Sequence, residues 1–553
     1  ALVSAANGSM AVADGGGLTA ANLASIENVT ISATNINGDV AFNGLESITF
    51  GGFNIPAGGT WNLPGLATMN TVAMTIQDGG TLNVPALNSY TVNTGADALL
   101  SITGAGTMAA PMLADIDNLR IEVLDGATLS LPLVTSYEWT ACTNTSVFYA
   151  SGAGSSLDLS AMESFTLNSP SCAAVPSIRA SAGGEVDLSG LETIEAEGED
   201  DFVRLMAEIG GQLKLAVLQF IESVYVDVDE VSSMDLPALE TFSNGSIEVS
   251  PGGALAANKL VSVSGVTFKT VAIGANVSFN TLQSISNTSL TLLVDDQWSF
   301  PALTTLLNTS ITIPDGASLN VPMLASCTSD NGSTLVSVSD TGLLSADQLS
   351  DITNLRFRLV AEAIVFLPSV VSYEWNFCAN RVLIVVDDDS ILKLPNLVNI
   401  NLGALDCGAV PIIQSLNGSS LNLPDLETIT TSGRDRWRFD LSGDGEINLE
   451  SLRSATETVL NIDESSALNL PTLESLTGCT ITVSPGGLLS SATLETVTDS
   501  DISIVSTGGA VAFDGLTTIS NSNILVAEGG VWSLPGLTSM FNTVVTIPDG
   551  AGF

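Results

Sequence analysis

Apolar and polar positions alternate with period two along this chain, in short runs that end at Gly or Pro. The segment PALTTLLNTSITIPDGASLNV (301–321) shows one unit. Leu303 and Leu306 stand three apart, Ile311 and Ile313 flank Thr312, and Leu319 and Val321 flank Asn320. Asp315-Gly316 supplies a turn signal between the last two runs. Period two sends alternate side chains to opposite faces of a strand, so each run predicts a short strand. No apolar stripe at helical spacing is long enough for an ordinary helix.

One motif, apolar-Pro-any-apolar, punctuates these runs. It reads LPGL at 63–66, VPAL at 84–87, APML at 110–113, LPLV at 131–134, FPAL at 300–303, LPNL at 394–397, LPDL at 423–426 and LPGL at 534–537. DLSAM, DLSGL, AFNGL, SFNTL and AFDGL fill the gaps without Pro. Motifs recur at roughly 20 to 29 residues, a period that means stacked repeats. One coil cannot bury its own inner face, but a stack of coils buries a continuous core. Pro fits a corner, where its missing N–H breaks no ladder bond. The expected fold is all-β: a right-handed parallel β-solenoid of ~20–29-residue coils, elongated as a rod.

A longer period overlies the coils. Trp61, Trp298 and Trp532 open the phrases WNLPGL, WSFPAL and WSLPGL, with spacings 298 − 61 = 237 and 532 − 298 = 234. SPGGAL and SPGGLL begin at 250 and 484, and DIDNLR and DITNLR at 115 and 351. About ten coils therefore form a ~235-residue block, which at ~4.8 Å per coil rises roughly 48 Å. The expected division is 1–15 as the end of a preceding block, 16–251 as block 1, 252–485 as block 2, and 486–553 as the start of a third block cut mid-coil. Neither end reads as a polar capping coil, so the chain is expected to be part of a longer protein or fibre.

These nested repeats resemble the secreted β-helix and leucine-rich-repeat-like proteins of cell surfaces: adhesins, fibre shafts and appendage subunits. The resemblance is one of architecture and covers essentially the whole chain. The Asn ladder of leucine-rich repeats is missing, which favours the β-helix.

Composition narrows the chemistry. Among 553 residues, 59 are Asp or Glu and 14 are Lys or Arg, giving a net charge of −45 with only 13% charged residues. Such a field repels nucleic acid and anionic membranes and attracts cations or basic partners. No His occurs, which removes the usual general base and the commonest metal ligand. No apolar run of membrane-spanning length occurs, since Glu362 and Pro368 break the best one (359–371).

The strongest local signal is a duplicated pair. SYEWTAC (136–142) returns as SYEWNFC (372–378), and each Cys has a second Cys about one long coil on. Cys142–Cys172 and Cys378–Cys407 are expected as disulfides, because stacked positions in adjacent coils lie about 5 Å apart. Disulfides place the protein outside the cytoplasm. Cys327 and Cys479 match Tyr90 and Gly245 of the other block and are expected to be buried free thiols.

Tyr137, Glu138 and Trp139, with Tyr373, Glu374 and Trp375, form a candidate carbohydrate-stacking surface. The alternative is that these rings pack over the long coils (132–216 and 368–450) and shield the disulfides. Those coils have a repeat of roughly 26 to 29 residues, longer than their neighbours. DLSGDGEINLE (440–450) resembles a calcium loop with its last acid misplaced, so Asp440 and Asp444 are weak Ca²⁺ candidates. Asp387, Asp388 and Asp389 are others; these, with EAEGEDD (195–201), lack counterparts in the other block and read as solvated loops. Asp229-Glu230 and Asp463-Glu464 do recur and are expected at a corner. Sequons begin at Asn7, Asn28, Asn144, Asn244, Asn276, Asn287, Asn308, Asn331 and Asn417.

The expected function is a non-catalytic extracellular or cell-surface structural protein: a stiff fibre, sheath or appendage shaft. Its expected partner is itself, end to end or laterally, with glycans or other surface proteins as further partners. No cofactor beyond adventitious Ca²⁺, no nucleic acid and no membrane insertion are expected. The alternative is a carbohydrate- or surface-binding adhesin using the long-coil aromatic and acidic surface. A polysaccharide-degrading β-helix enzyme ranks third, since it needs one irregular acidic site.

Overall fold

The computed structural model describes the chain except residues 1, 14, 34–37, 94–95, 170–171, 199, 271–275, 404–405, 432, 464, 506–507 and 552–553, and the side chains of 270 and 276–278. Among the described residues every element is a strand. Among these residues no helix is long and apolar enough to cross a membrane. The chain divides into two compact units, Ala1–Thr281 and Leu282–Phe553.

In the first unit a representative coil begins with strand Ser47–Ile55, turns, continues as Thr60–Asn62 and turns again at Leu63–Leu66. The next coil repeats this with Thr68–Ile76 and Thr81–Asn83. The strands pair in parallel, Ser47 opposite Thr68 and Thr60 opposite Thr81. One coil thus advances the numbering by 68 − 47 = 21. The second unit has the same plan and the same advance: Ile285 pairs with Leu306, and Leu306 with Cys327. Each unit is a parallel β-solenoid.

Three corners shape a coil. At the first, Leu66 donates its N–H to the Leu63 carbonyl (3.1 Å), closing a β-turn with Pro64 at its second position. The ring presets φ for that position. Leu63 and Leu66 are fully buried and lie in columns continued by Val84 and Leu87 in the next coil. The second corner is a Gly turn, as where Gly80 N–H meets the Gln77 carbonyl (2.8 Å).

The third corner lies inside the nine-residue strands and is not apparent from the pattern alone. In Ser25–Ala33, Ile26 is buried, Glu27 and Asn28 are both exposed, and burial resumes at Val29 and Ile31. Asn28 adopts φ +50°, which bends the strand and resets the alternation. Asn7, Asn244, Asn287, Asn308 and Asn521 take the same conformation. Asn tolerates left-handed φ better than most residues.

The long coils follow the same path with outward additions. Tyr137 pairs with Phe165 and Phe165 with Ile194, spacings of 165 − 137 = 28 and 194 − 165 = 29. Ser146 pairs with Ser177 across a bulge, a spacing of 177 − 146 = 31 that slightly exceeds the expected range. In the second unit Tyr373, Ile400 and Ile429 stack at spacings of 400 − 373 = 27 and 429 − 400 = 29.

Candidate functional site

The two expected cysteine pairs are joined. Cys142 and Cys172 have Cα atoms 5.7 Å apart, and Cys378 and Cys407 5.9 Å. Cys327 and Cys479 are free and buried, and burial pushes their thiols up to about 12 and about 11. Neither is a reactive thiol at neutral pH.

Beneath each disulfide-bearing loop sits a buried aspartate. Asp201 accepts hydrogen bonds from Ser169 Oγ (2.6 Å) and Ala174 N (2.8 Å). Asp435 accepts from Cys407 N (3.1 Å) and Ala409 N (2.8 Å). They are block equivalents, 435 − 201 = 234, and both are almost fully buried. The cluster EAEGEDD is therefore not wholly a solvated loop: its last residue clamps the disulfide loop from inside. Recurrence of this one Asp was the available sequence signal, hidden because the surrounding acids differ between blocks.

The candidate stacking surface requires correction. Tyr137, Trp139, Tyr373 and Trp375 are at most 1% exposed. Tyr137 Oη donates to the Leu119 carbonyl (3.2 Å) and Tyr373 Oη to the Leu355 carbonyl (2.8 Å), each one coil back. Tyr137 packs against Phe148 and Phe165, and Tyr373 against Trp437. Their strand register turns these rings inward, as it does Tyr90 in a short coil, whose Oη donates to the Val72 carbonyl (2.6 Å). Only Glu138 and Glu374 face outward, half-buried, and Glu138 accepts from Asn168 Nδ2 (3.1 Å).

The calcium-loop reading of 440–450 also fails on geometry. Asp440 lies within strand Trp437–Ser442. Its carboxylate already accepts from Arg438 Nε (2.8 Å), Asn461 Nδ2 (2.7 Å) and Gln414 Nε2 (3.3 Å). Asp444 sits apart in the following turn with φ +62°. Asp387 caps its own corner through Asp388 N (2.9 Å) and takes Asn417 Nδ2 (2.8 Å), while Asp388 and Asp389 are left-handed turn residues. Among the described residues no group of three or more His, Cys, Asp or Glu is placed to hold a metal. Asp229 and Asp463 stand at corners, each carbonyl receiving the N–H three positions on; Glu464 lies outside the described residues.

The sequons fall largely on the bend. Asn7, Asn28, Asn244, Asn287 and Asn308 have left-handed φ there, and Asn417 has it at a Gly turn. Several of their amide nitrogens donate along the stack: Asn28 to Asn7 (2.8 Å), Asn308 to Asn287 (3.0 Å) and Asn244 to Glu222 (3.2 Å). Asn144 accepts from Val175 N (2.7 Å), and Asn331 from Ser333 N (2.9 Å). The Asn276 side chain lies outside the described residues.

The site that sequence reasoning missed is a groove of about 810 Å³ on the first unit. It follows the left-handed bend at Ser223, Asn244 and Gly265, in strands Phe220–Val228, Thr241–Val249 and Ser262–Thr270. Register places Arg204, Tyr225, Ser246 and Thr267 in one outward row, and Met206, Asp227, Glu248 and Lys269 in the next. Ala196, Glu197, Gly198 and Phe202 line it at one end. There Phe202 lies parallel to Tyr225, centroids 4.5 Å apart and planes 9° apart. The Arg204 guanidinium stands 5.5 Å from the Tyr225 ring centre and 3.4 Å from Asp227. Gly245 lies on the groove floor, where a Cβ would collide with the Val224 carbonyl and press on Phe242. Burial, reinforced by Glu248 and Glu208 and opposed by Arg204 and Lys269, lifts the Asp227 carboxyl to about 6.

No protein-family model matches the chain, and no curated protein matches it. Among solved structures, it is similar to the hyperglycosylated TibA fragment 55–350 modified by TibC, at 10% identity and TM-score 0.11, over 100% of this chain and 99% of that one. At that level the functional reading rests on the chain's own residues.

Proposed function

We propose that this chain is a non-catalytic extracellular structural protein, its coils stacking into a stiff fibre, sheath or appendage shaft. The observation that carries this reading is the recurrence of one coil plan in both units: the same corners, the same buried leucine columns and the same disulfide-and-aspartate staple. A scaffold role needs such uniformity along the stack. The disulfides support an oxidising location. Stapled long coils resist local opening, because the cross-link limits the freedom of the unfolded loop.

The test is cryo-electron microscopy of native material. A filament with an axial repeat near 48 Å, or a simple multiple, is the expected result, from about ten coils at ~4.8 Å each. Particles that never associate in native material would overturn the fibre reading.

A further inference from the structure

We propose that the groove on the first unit is a binding site for a neutral saccharide chain. The inference goes beyond the scaffold role and does not depend on it.

Four observations converge. First, the groove is irregular in an otherwise repeating architecture. The block equivalents of its lining, offset by 436 − 202 = 234, hold other side chains: Phe202 becomes Arg436, Tyr225 becomes Val459, Asp227 becomes Asn461, and Lys269 becomes Ser503. In that second place Arg436 spans the bend, 3.2 Å from Glu457 and 3.2 Å from Thr480 Oγ1. Packing alone therefore does not demand the aromatic wall.

Second, the chain has five Tyr, of which Tyr90, Tyr137 and Tyr373 are buried. Tyr225 is spent on an outward, partly exposed position and is stacked with a partly exposed Phe. Phe202 covers one face of Tyr225 and the Arg204 guanidinium also lies over that ring, so the apolar wall left to a ligand is the partly exposed Phe202 ring, beside polar groups, and the C–H face of a sugar ring packs on such a ring. Ring–ring contact also holds the wall in one orientation before any ligand arrives.

Third, the lining offers hydrogen-bonding groups of both senses. Carboxylates of Glu222, Asp227 and Glu248 accept, Arg204 and Lys269 donate, and the Asn244 amide and Ser246 hydroxyl do both. Hydroxyl-rich ligands need that mixture. Fourth, the volume of about 810 Å³ falls within the range of small-ligand sites, about 300–1,000 Å³.

Charge selects among saccharides. With Glu197, four carboxylates face two cations across the groove, inside a chain of net charge −45. A uronate or sialylated chain meets net repulsion there, and a neutral one does not. A basic peptide would find the acids, but Arg204 and Lys269 interrupt them.

The experiment is saturation-transfer NMR and calorimetry on the full chain. The probes are short manno-, xylo-, gluco- and chito-oligosaccharides, with oligogalacturonate as the charged comparison and oligolysine as the basic one. At least one neutral series is expected to bind. Phe202→Ala and Tyr225→Ala should each weaken it roughly tenfold or more. Ser246→Trp, an outward change that fills the groove without touching the core, should abolish it while the melting temperature stays unchanged. Arg436→Ala, at the equivalent place in the second unit, should leave binding intact. Binding of only oligogalacturonate or oligolysine would overturn the proposal. So would neutral binding that survives Ser246→Trp, or no binding by any neutral series.

Discussion

At the scale of single residues, one titrating group combines a strong perturbation with a simple reading. Asp227 is raised to about 6 in the folded chain, chiefly by burial, against about 3.9 for an unfolded Asp. Between these values the folded state holds the extra proton, so stability falls as pH rises through that window. Above it the folded chain carries a partly desolvated carboxylate that Arg204 and Lys269 only partly offset. Asp227→Asn should therefore melt higher than the parent at pH 7.5. The gain is about 1 to 2 kcal/mol once solvent screening of a partly exposed group is allowed for, and it should vanish below pH about 4. Thermal melts of both proteins from pH 3.5 to 8 check this. A difference that is flat across that range would mean that the folded and unfolded carboxyls titrate alike, and a variant that melts lower than the parent as pH rises would mean that the ion pair with Arg204 outweighs desolvation.

At the scale of elements, the long coils hold together through a covalent bond and a buried carboxylate acting on one loop. Asp435→Ala removes the acceptor for Cys407 N and Ala409 N, both beneath the loop. Two backbone donors then lose their partner, a cost of roughly 2–3 kcal/mol. The loss should be local: amide exchange in 406–410 accelerates while the leucine columns stay protected. Reducing Cys378–Cys407 in the same variant should open the loop further than either change alone, since both act on one segment. Equal protection in parent and variant would show the clamp to be idle. These elements also show what was legible in the sequence. The Pro corners and cysteine pairs could be read because each is a residue type with one strong local meaning, repeated at a fixed period. The left-handed bend was obscured because Asn, Ser, Thr, Phe, Glu and Gly all occupy it, so no single letter marks it. For the SYEW rings the sequence left a stacking surface and a packed position both open, because inward and outward positions of one strand differ only by register. The groove could not be read at all: Arg204, Tyr225, Ser246 and Thr267 meet through parallel pairing of successive coils, with Phe202 stacked on Tyr225, and only a fixed register brings them side by side.

At the scale of the whole molecule, charge decides how copies meet. Most Lys and Arg are already committed to acids on their own coil or the next, as with Arg179 to Glu208 and Lys214 to Glu185. Acids far outnumber these cations, which leaves the net charge of −45 on a surface otherwise rich in hydroxyls and amides. Two modes of association respond differently to that field. Pairing through an unpaired strand edge forms many short hydrogen bonds and depends weakly on charge. Side-by-side association brings acidic faces together and is opposed until the charge is screened or protonated. Light scattering at low ionic strength should therefore stay low at pH 7.5 and rise steeply as pH approaches the isoelectric value of about 4.1. Adding salt at pH 7.5 should produce part of the same rise, because the screening length falls from about 30 Å at 0.01 M to about 8 Å at 0.15 M. Both responses together identify lateral contacts as the charge-controlled step. Filaments that form equally at pH 7.5 without salt would instead identify edge-to-edge stacking as the dominant contact, with the acidic surface serving to keep finished filaments apart.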